Sequence, residues 1–556
     1  MIELIEHTVF TLVLAVLISI YYKKGPQQFF RVIVLALKEL PGVRAIIDLV
    51  LKNEVSSFVN TTSLAQDVVK SKAKVCIPEK GFSAEDMRVQ MKNLQKRNAN
   101  PERDGNVFAY QYTLCDDNYR LQQEAFDKFC EKTGHSVEHD ELVKEFFHGF
   151  MHENALNPII FPALRLMETE VVSMTAAMLN GNSEVVGFLT SGGTESNLMA
   201  VKTFRDMALA TRNNIRKPNI VAPITVHPTI DKAAHYFGLD VIHTPMASDF
   251  RADVKAMEKA INSDTVMLVA SATQFSLVKS SYILHFTCKF YLFIYFFICF
   301  VIAIKNQIKS KWFDFVCRVM SITNDINFRV EKLGYPVPKF DFRVPGVTSM
   351  SADVHKYGFC VKGASVICYR NSDIRKYQIY AYSEWPGGLY GSPSMAGTRP
   401  GGNIAAAWAA MKALGQEGYM EKAKTLMDTT VKMITRIKTI EGLQIMGDPC
   451  MTAFAISASN PNINIQAVAD AMETKGWKME RNQLPDSLHC SILPHHEHVA
   501  DKFLDDLEEA AKYCKDNKAL AKKGTAGVYG MMANIPDKGI VTDFLVEFFS
   551  EVYKCK

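Results

Sequence analysis

No two of the 12 cysteines form a C-x-x-C pair, and no group of Cys and His residues has the spacing of a zinc site. The cysteines are scattered singly from Cys76 to Cys555, which suits a reduced compartment and small buried apolar residues. Excess charge is also scarce. A net charge of +4 gives no reason to expect a nucleic-acid partner. There is no internal repeat. The first apolar run has no basic region before it and no small-residue cleavage site after it, which argues against a removed signal peptide. What is present is an ordinary globular composition, 48% hydrophobic and 22% charged, which argues against disorder. A single core rarely grows to 556 residues, so at least two packed units and an appendage are expected.

Two long apolar runs are there. The first, Thr8 to Tyr22, is followed by Lys23 and Lys24 and extended by Leu4 and Ile5. It predicts a single N-terminal anchor within residues 1–25, with the lysines and the remaining chain on the cytosolic side. Residues 26–144 read as a helical segment. Its stretch from Phe29 to Lys52 mixes Arg31, Lys38, Arg44 and Lys52 with apolar residues and is broken at Pro41-Gly42. It suits either a membrane surface or packing on the soluble domain. The second run, Phe290 to Ile304, is the more apolar, but it falls between strands of one α/β domain, where a lone span would split a sheet.

From about Glu145 helical periods alternate with short apolar runs. Helix-like Glu168 to Leu179 precedes the run Val185 to Leu189, and a helical pattern follows over Thr194 to Ala208. Ile220 to Pro223, Val241-Ile242, Val266 to Val269 and Ala364 to Tyr369 are further strand candidates. This alternation predicts a mostly parallel sheet covered on both faces. After Gly402, helical patterns over Ile404 to Leu414 and Met420 to Ile440 lead to strand-like Thr452 to Ser457 and a helix over Ile465 to Lys475, a smaller α+β domain.

Three strings carry chemistry. Lys356 stands in Ser351-Ala352-Asp353-Val354-His355-Lys356-Tyr357-Gly358, after strand-like Gly346 to Met350 and before Lys362-Gly363. A lysine at a strand end among small residues can stay unprotonated and form a Schiff base, although an isolated one is far more often a surface lysine. In Thr190-Ser191-Gly192-Gly193-Thr194-Glu195-Ser196, two glycines let backbone N–H groups approach a phosphate, and the helix from Thr194 adds its dipole. Alone, that string reads as a turn capping a helix. The third, Trp385-Pro386-Gly387-Gly388-Leu389-Tyr390 with Gly397-Thr398-Arg399-Pro400-Gly401, reads alone as a loop at a domain junction. His227, just after a strand, reads alone as structural.

Taken together, the strings resemble the sphingosine-phosphate lyases, pyridoxal 5'-phosphate (PLP) enzymes related to amino-acid decarboxylases. S-x-D-x-H-K-x-G with K-G-x-S resembles the lysine segment, T-S-G-G-T-E-S the phosphate loop, and W-x-G-G-x-Y…G-T-R-x-G the segment that separates lyases from decarboxylases. Asn154 to Val171, Phe340 to Ser349, Lys475-Gly476-Trp477 and Tyr529-Gly530-Met531 extend the likeness from about Glu145 to Tyr553. It implies PLP-dependent transferase fold type I, aspartate aminotransferase-like: a large doubly wound α/β domain at 145–401, a smaller α+β domain at 402–556, and the N-terminal membrane helix. It also implies PLP on Lys356, with Gly193 and Thr194 on its phosphate and His227 and His355 beside it. Tyr390 is implied as a proton carrier near the substrate hydroxyl, and Lys362, Arg399 and Asn157 as substrate-phosphate candidates. Asn157 stands where the family has a histidine, so it can donate a bond but not carry charge. The implied reaction splits the C2–C3 bond of a phosphorylated sphingoid base into a long-chain aldehyde and phosphoethanolamine. The implied setting is the endoplasmic reticulum membrane, single-pass, with the catalytic domain facing the cytosol, in a homodimer. The alternatives are a PLP-dependent amino-acid decarboxylase and a catalytically inactive membrane-bound relative.

One stretch departs. The family's H-V-D-A-C-L-G-G strand, whose aspartate holds the pyridine nitrogen, belongs between Val269 and Glu331 and has no counterpart. Residues from Ser276 to Val330 are instead rich in Phe, Ile, Tyr, Lys and Asn, which AT-rich DNA encodes. We read them as a retained intron or a mis-joined gene model, with a membrane insertion and a diverged but real segment as the alternatives. Family spacing puts the aspartate near Val319, and neither Asp314 nor Asp325 has the right neighbours. The helix and strand of that region are expected to be lost, with poor folding as a result.

Overall fold

The alternating runs form a seven-stranded sheet. Its strands are β1 (Val186–Thr190), β2 (Asn219–Pro223), β3 (Asp240–Thr244), β4 (Thr265–Ala270), β5 (Val316–Arg318), β6 (Val347–Ala352) and β7 (Ser365–Tyr369), in the order β1-β7-β6-β5-β4-β2-β3. All pairs are parallel except those of β7, which runs antiparallel to β1 and β6. β2, β4, β6 and β7 are buried from end to end, as expected of strands covered on both faces. β7 shows the covering directly. Val366 and Cys368 enter one hydrophobic cluster, and the alternate residues Ile367 and Tyr369 enter another.

The computed structural model describes residues 75–97, 138–271, 316–318, 329–494, 496–534 and 538–554, with Gly42, Val43, Ile46 and Leu49. Two compact units are separated, Met1–Lys72 and Ala73–Lys556. The expected anchor Thr8 to Tyr22 and the run Phe290 to Ile304 lie outside the described residues. Among the described residues no helix is long and apolar enough to cross a membrane.

On the first face of the sheet pack α1 (Ala84–Gln95), α2 (Glu138–Gly149) and α3 (Pro162–Met178), through Met87, Phe146, Val171 and Met174. On the second lie α4 (Gly193–Thr211) and α5 (Thr229–Phe237), through Phe204 and Ile230. The short α6 (Val254–Ala260) covers β2 near β3 through Met257. α2 runs across the expected 144/145 division, because Leu142, Phe146 and Phe150 share one apolar stripe of the large core.

α7 (Gly401–Ile437) joins the two helical patterns read after Gly402. They are separated by Gly415, at φ 63° and ψ −176°. A side chain there would strike the backbone of Gly81, whose own Cβ would fall 1.9 Å from the Ala413 carbonyl oxygen. The break frees backbone groups, and residues 78–82 satisfy them: Gln416 N–H donates to Pro78 O, and Phe82 N–H to Lys412 O.

Beyond α7, β10 (Leu443–Ile445), β11 (Ala453–Ala458), β12 (Glu480–Gln483) and β13 (Asp486–Ser491) make an antiparallel sheet in the order β10-β11-β13-β12. With α8 (Ile465–Thr474) and α9 (His496–Asp516) it closes a second core around Phe454, Leu488, Val468 and Leu507. Each such fully buried side chain contributes about 1.5–3 kcal/mol.

One expectation is corrected. A strand does stand between β4 and β6. β5 pairs in parallel with both, and Arg318 lies opposite Ala270 on one side and Met350 on the other. β4 and β6 stand two strand positions apart, so an empty place between them would orphan two rows of backbone groups, and β5 satisfies those within its reach. The three residues recruited are Val316, Cys317 and Arg318, none of them a carboxylate. Val319, Asp314 and Asp325 lie outside the described residues.

Candidate active site

The chemistry-bearing residues gather at the C-terminal ends of β1, β2 and β6, as expected of an open α/β sheet. Lys356 sits in the turn after β6, and its Nζ lies 2.6 Å from Asp353 Oδ2. The lysine side chain is 31% exposed, whereas Asp353 is 6% exposed. Asp353 Oδ1 is buried without a hydrogen-bond partner among the described residues. The next residue after the lysine, Tyr357, is plugged into the second core, and its hydroxyl donates to Ile492 O at 2.9 Å. Burial pushes that phenol up to about 12.

The Gly-Gly turn lies directly opposite. Thr190 ends β1, and α4 begins at Gly193. A Cβ on Gly193 would fall 2.7 Å and 2.9 Å from the two Asp353 oxygens, so only glycine fits. The turn is braced from below by hydroxyls. Thr190 Oγ1 and Ser196 Oγ are 2.7 Å apart, Ser196 Oγ and Ser365 Oγ 2.9 Å, and Ser365 donates to Ala352 O. Glu195 braces it from the side. Its Oε2 accepts from both Ser191 N–H and Oγ at 2.7 Å, and its Oε1 from Met395 N–H.

His355 uses Nδ1 to reach Ala364 O at 2.6 Å, and its Cε1 is 3.9 Å from where a Cβ on Gly192 would stand. Desolvation pushes its pKa down, against the pull of Asp353. His227 accepts from Thr229 N–H at Nδ1, and Thr229 Oγ1 in turn receives a bond from Asn197 Nδ2. Desolvation, then the Lys356 ammonium, lowers the His227 pKa against the pull of Asp353, which favours the neutral ring. Lys356, His227, His355 and Gly193 therefore share one neighbourhood, with Thr194 next in the helix.

The other expected residues stand elsewhere. Tyr390 is on the hairpin of β8 (Tyr380–Tyr382) and β9 (Tyr390–Ser392), 38% exposed among Tyr380 and Trp385. Arg399 is clasped by Glu168 at 2.7 Å and 3.1 Å, with Phe188 4.2 Å from its guanidinium. It also donates to Ala155 O. The pair is only 13% and 11% exposed. Asn157 Oδ1 accepts from Ile159 and Ile160 N–H in its own turn. Lys362 is exposed on the loop that follows Lys356. The sequence reading missed Glu168, Glu195 and Tyr357. Glu168 had a signal, since it is a carboxylate on the apolar face of α3.

The pyridoxal-dependent decarboxylase conserved domain matches residues 117–274. Sphingosine-1-phosphate lyase from Dictyostelium discoideum is 35% identical over 522 residues, 93% of this chain and 89% of that protein.

The chain belongs to the sphingosine-1-phosphate lyase family.

The solved lyase of this family from Burkholderia pseudomallei aligns with 82% of the chain and 99% of its own, at 29% identity and TM-score 0.66. Glutamate decarboxylase from Lactobacillus brevis shares the fold alone, at 16% identity and TM-score 0.57 over 75% of the chain and 97% of its own. The lyase family uses PLP, and the residues here fit its aldehyde and phosphate ends. An amine is held by a buried carboxylate, and a glycine cradle opens on a helix N-terminus. β5, at the place between β4 and β6 where the family's carboxylate strand was expected, carries no carboxylate among its described residues.

Proposed function

We propose that this chain is a carbon–carbon lyase that cleaves sphingosine 1-phosphate and related phosphorylated sphingoid bases to a long-chain aldehyde and phosphoethanolamine. The observation that carries the reading is the meeting of Lys356, Asp353, His227 and His355 with the Gly192-Gly193 turn. PLP supplies an electron sink for the breaking bond. Lys356 is the amine that holds it, Gly193 and Thr194 take its phosphate, and neutral His227 faces its ring. Tyr390 moves the proton of the substrate's C3 hydroxyl. Its exposure on the β8–β9 hairpin supports a homodimer in which each chain completes the other's site. Lys362 and Asn157 meet the substrate phosphate. Arg399, bonded to Glu168, serves them by fixing the 155–157 turn. The apolar run Thr8 to Tyr22 anchors the chain in the endoplasmic reticulum membrane in a single pass, with the catalytic unit facing the cytosol and its lipid substrate.

A specific observation favours an impaired form of this enzyme: β5 stands where the carboxylate strand belongs and carries Val316, Cys317 and Arg318. A transcript lacking codons for Ser276 to Val330 and encoding an aspartate strand would identify the intact enzyme. The test of the function itself is Lys356→Ala. It should abolish both aldehyde release from sphingosine 1-phosphate and the absorbance of bound PLP. Full activity in that variant sinks the proposal, and release of carbon dioxide from an amino acid without cleavage of the lipid would make the protein a decarboxylase.

A further inference from the structure

The carboxylate of Asp353 is in a position that the phosphate loop does not explain. It is 6% exposed, and one oxygen holds Lys356 Nζ at 2.6 Å. The other oxygen has no hydrogen-bond partner among the described residues, an uncommon condition for a buried carboxylate. Both oxygens press on Gly193, the first residue of the 19-residue helix α4, at 2.7 Å and 2.9 Å from its absent Cβ. The first N–H groups of such a helix and its dipole attract an anion. A fixed negative charge therefore stands at the end of the helix where a phosphate would be received.

We propose that Asp353 is a positioning residue: it holds the Lys356 ammonium against the mouth of α4, and its charge weakens the grip of that cradle on phosphate. The inference rests on Gly193 and Thr194 receiving the cofactor phosphate. Two anions in one poorly solvated corner repel, and Lys356 supplies the charge that screens them. Gly193 has the complementary constraint, since any side chain there would force the carboxylate away and release the lysine. The arrangement trades phosphate affinity for a lysine that is always poised beside the cofactor's aldehyde end.

The test uses the full-length chain and two readouts other than turnover: inorganic phosphate affinity by calorimetry, and retention of PLP by absorbance during dialysis. Asp353→Asn keeps the shape and can still accept from Lys356. It should bind phosphate roughly tenfold more tightly. In a Lys356→Ala background, where the screen is gone, the same change should have a larger effect. Thr194→Val separates the two claims, because it should weaken phosphate binding if the cradle is where we place it. If Thr194→Val changes nothing, the cradle assignment falls and the inference with it. If Thr194→Val weakens binding but Asp353→Asn, natively folded by circular dichroism, binds phosphate no more tightly than the unmodified chain, the Asp353 inference alone is overturned. Equal effects of Asp353→Asn with and without Lys356 would also overturn it.

Discussion

The proposed phosphate end and the proposed pyridine end of the candidate site are built in different ways. At the proposed phosphate end, the residues that brace the Gly192-Gly193 turn also hold the sheet together: Thr190, Ser196 and Ser365 link β1, α4 and β7, and Glu195 ties the turn to Met395. At the proposed pyridine end stands β5, three residues paired with β4 on one side and β6 on the other. A sheet position can be filled by almost any sequence, because its hydrogen bonds belong to the main chain. A catalytic position cannot, because its chemistry belongs to one side chain. The fold therefore tolerates the departure between β4 and β6, and the activity is where the loss should be felt.

The largest effect expected on this contrast comes from Arg399→Ala. It strands the Glu168 carboxylate next to β1, and breaking so buried a pair costs about 3–5 kcal/mol. Denaturant unfolding measures it. A loss below 1 kcal/mol would show that the phosphate end is not built into the frame as described. The next sharpens the other side. Val319→Asp puts a carboxylate where family spacing asks for one, directly after β5 in the chain. It should raise lyase activity at least roughly tenfold, the equivalent of a single charge-assisted bond. No gain in a stably folded variant would mean that the pyridine end lacks more than its aspartate. The smallest is Tyr357→Phe, which removes one buried hydrogen bond to Ile492 O and should cost about 1 kcal/mol of stability. A concurrent fall in PLP retention would show that the second core positions Lys356.

The strands of the large sheet other than β5, most of the helices between them, β11 of the small sheet, and the order of the lysine segment and the Gly-Gly turn were legible in the chain alone. Each is written locally: an apolar run of strand length, a helical period, a Gly-Gly turn before a helix. Lys356, His227 and His355 could be named because their neighbours in sequence are informative, and those three are brought together. Tyr390, Arg399 and Asn157 were named in the same way, but their surroundings depend on distant partners. Arg399 meets Glu168, 231 residues away, and no local pattern reports that pairing. The same limit hid the contact of Asp353 with Gly193, the burial of Tyr357 in the second core, and the recruitment of Val316 to Arg318 into the sheet. Local spacing determines which element forms and which chemistry it carries. Which carboxylate faces which cation, and which stretch fills an open row of backbone groups, is decided only when the chain closes on itself, because those contacts are selected by geometry and burial rather than by sequence neighbours.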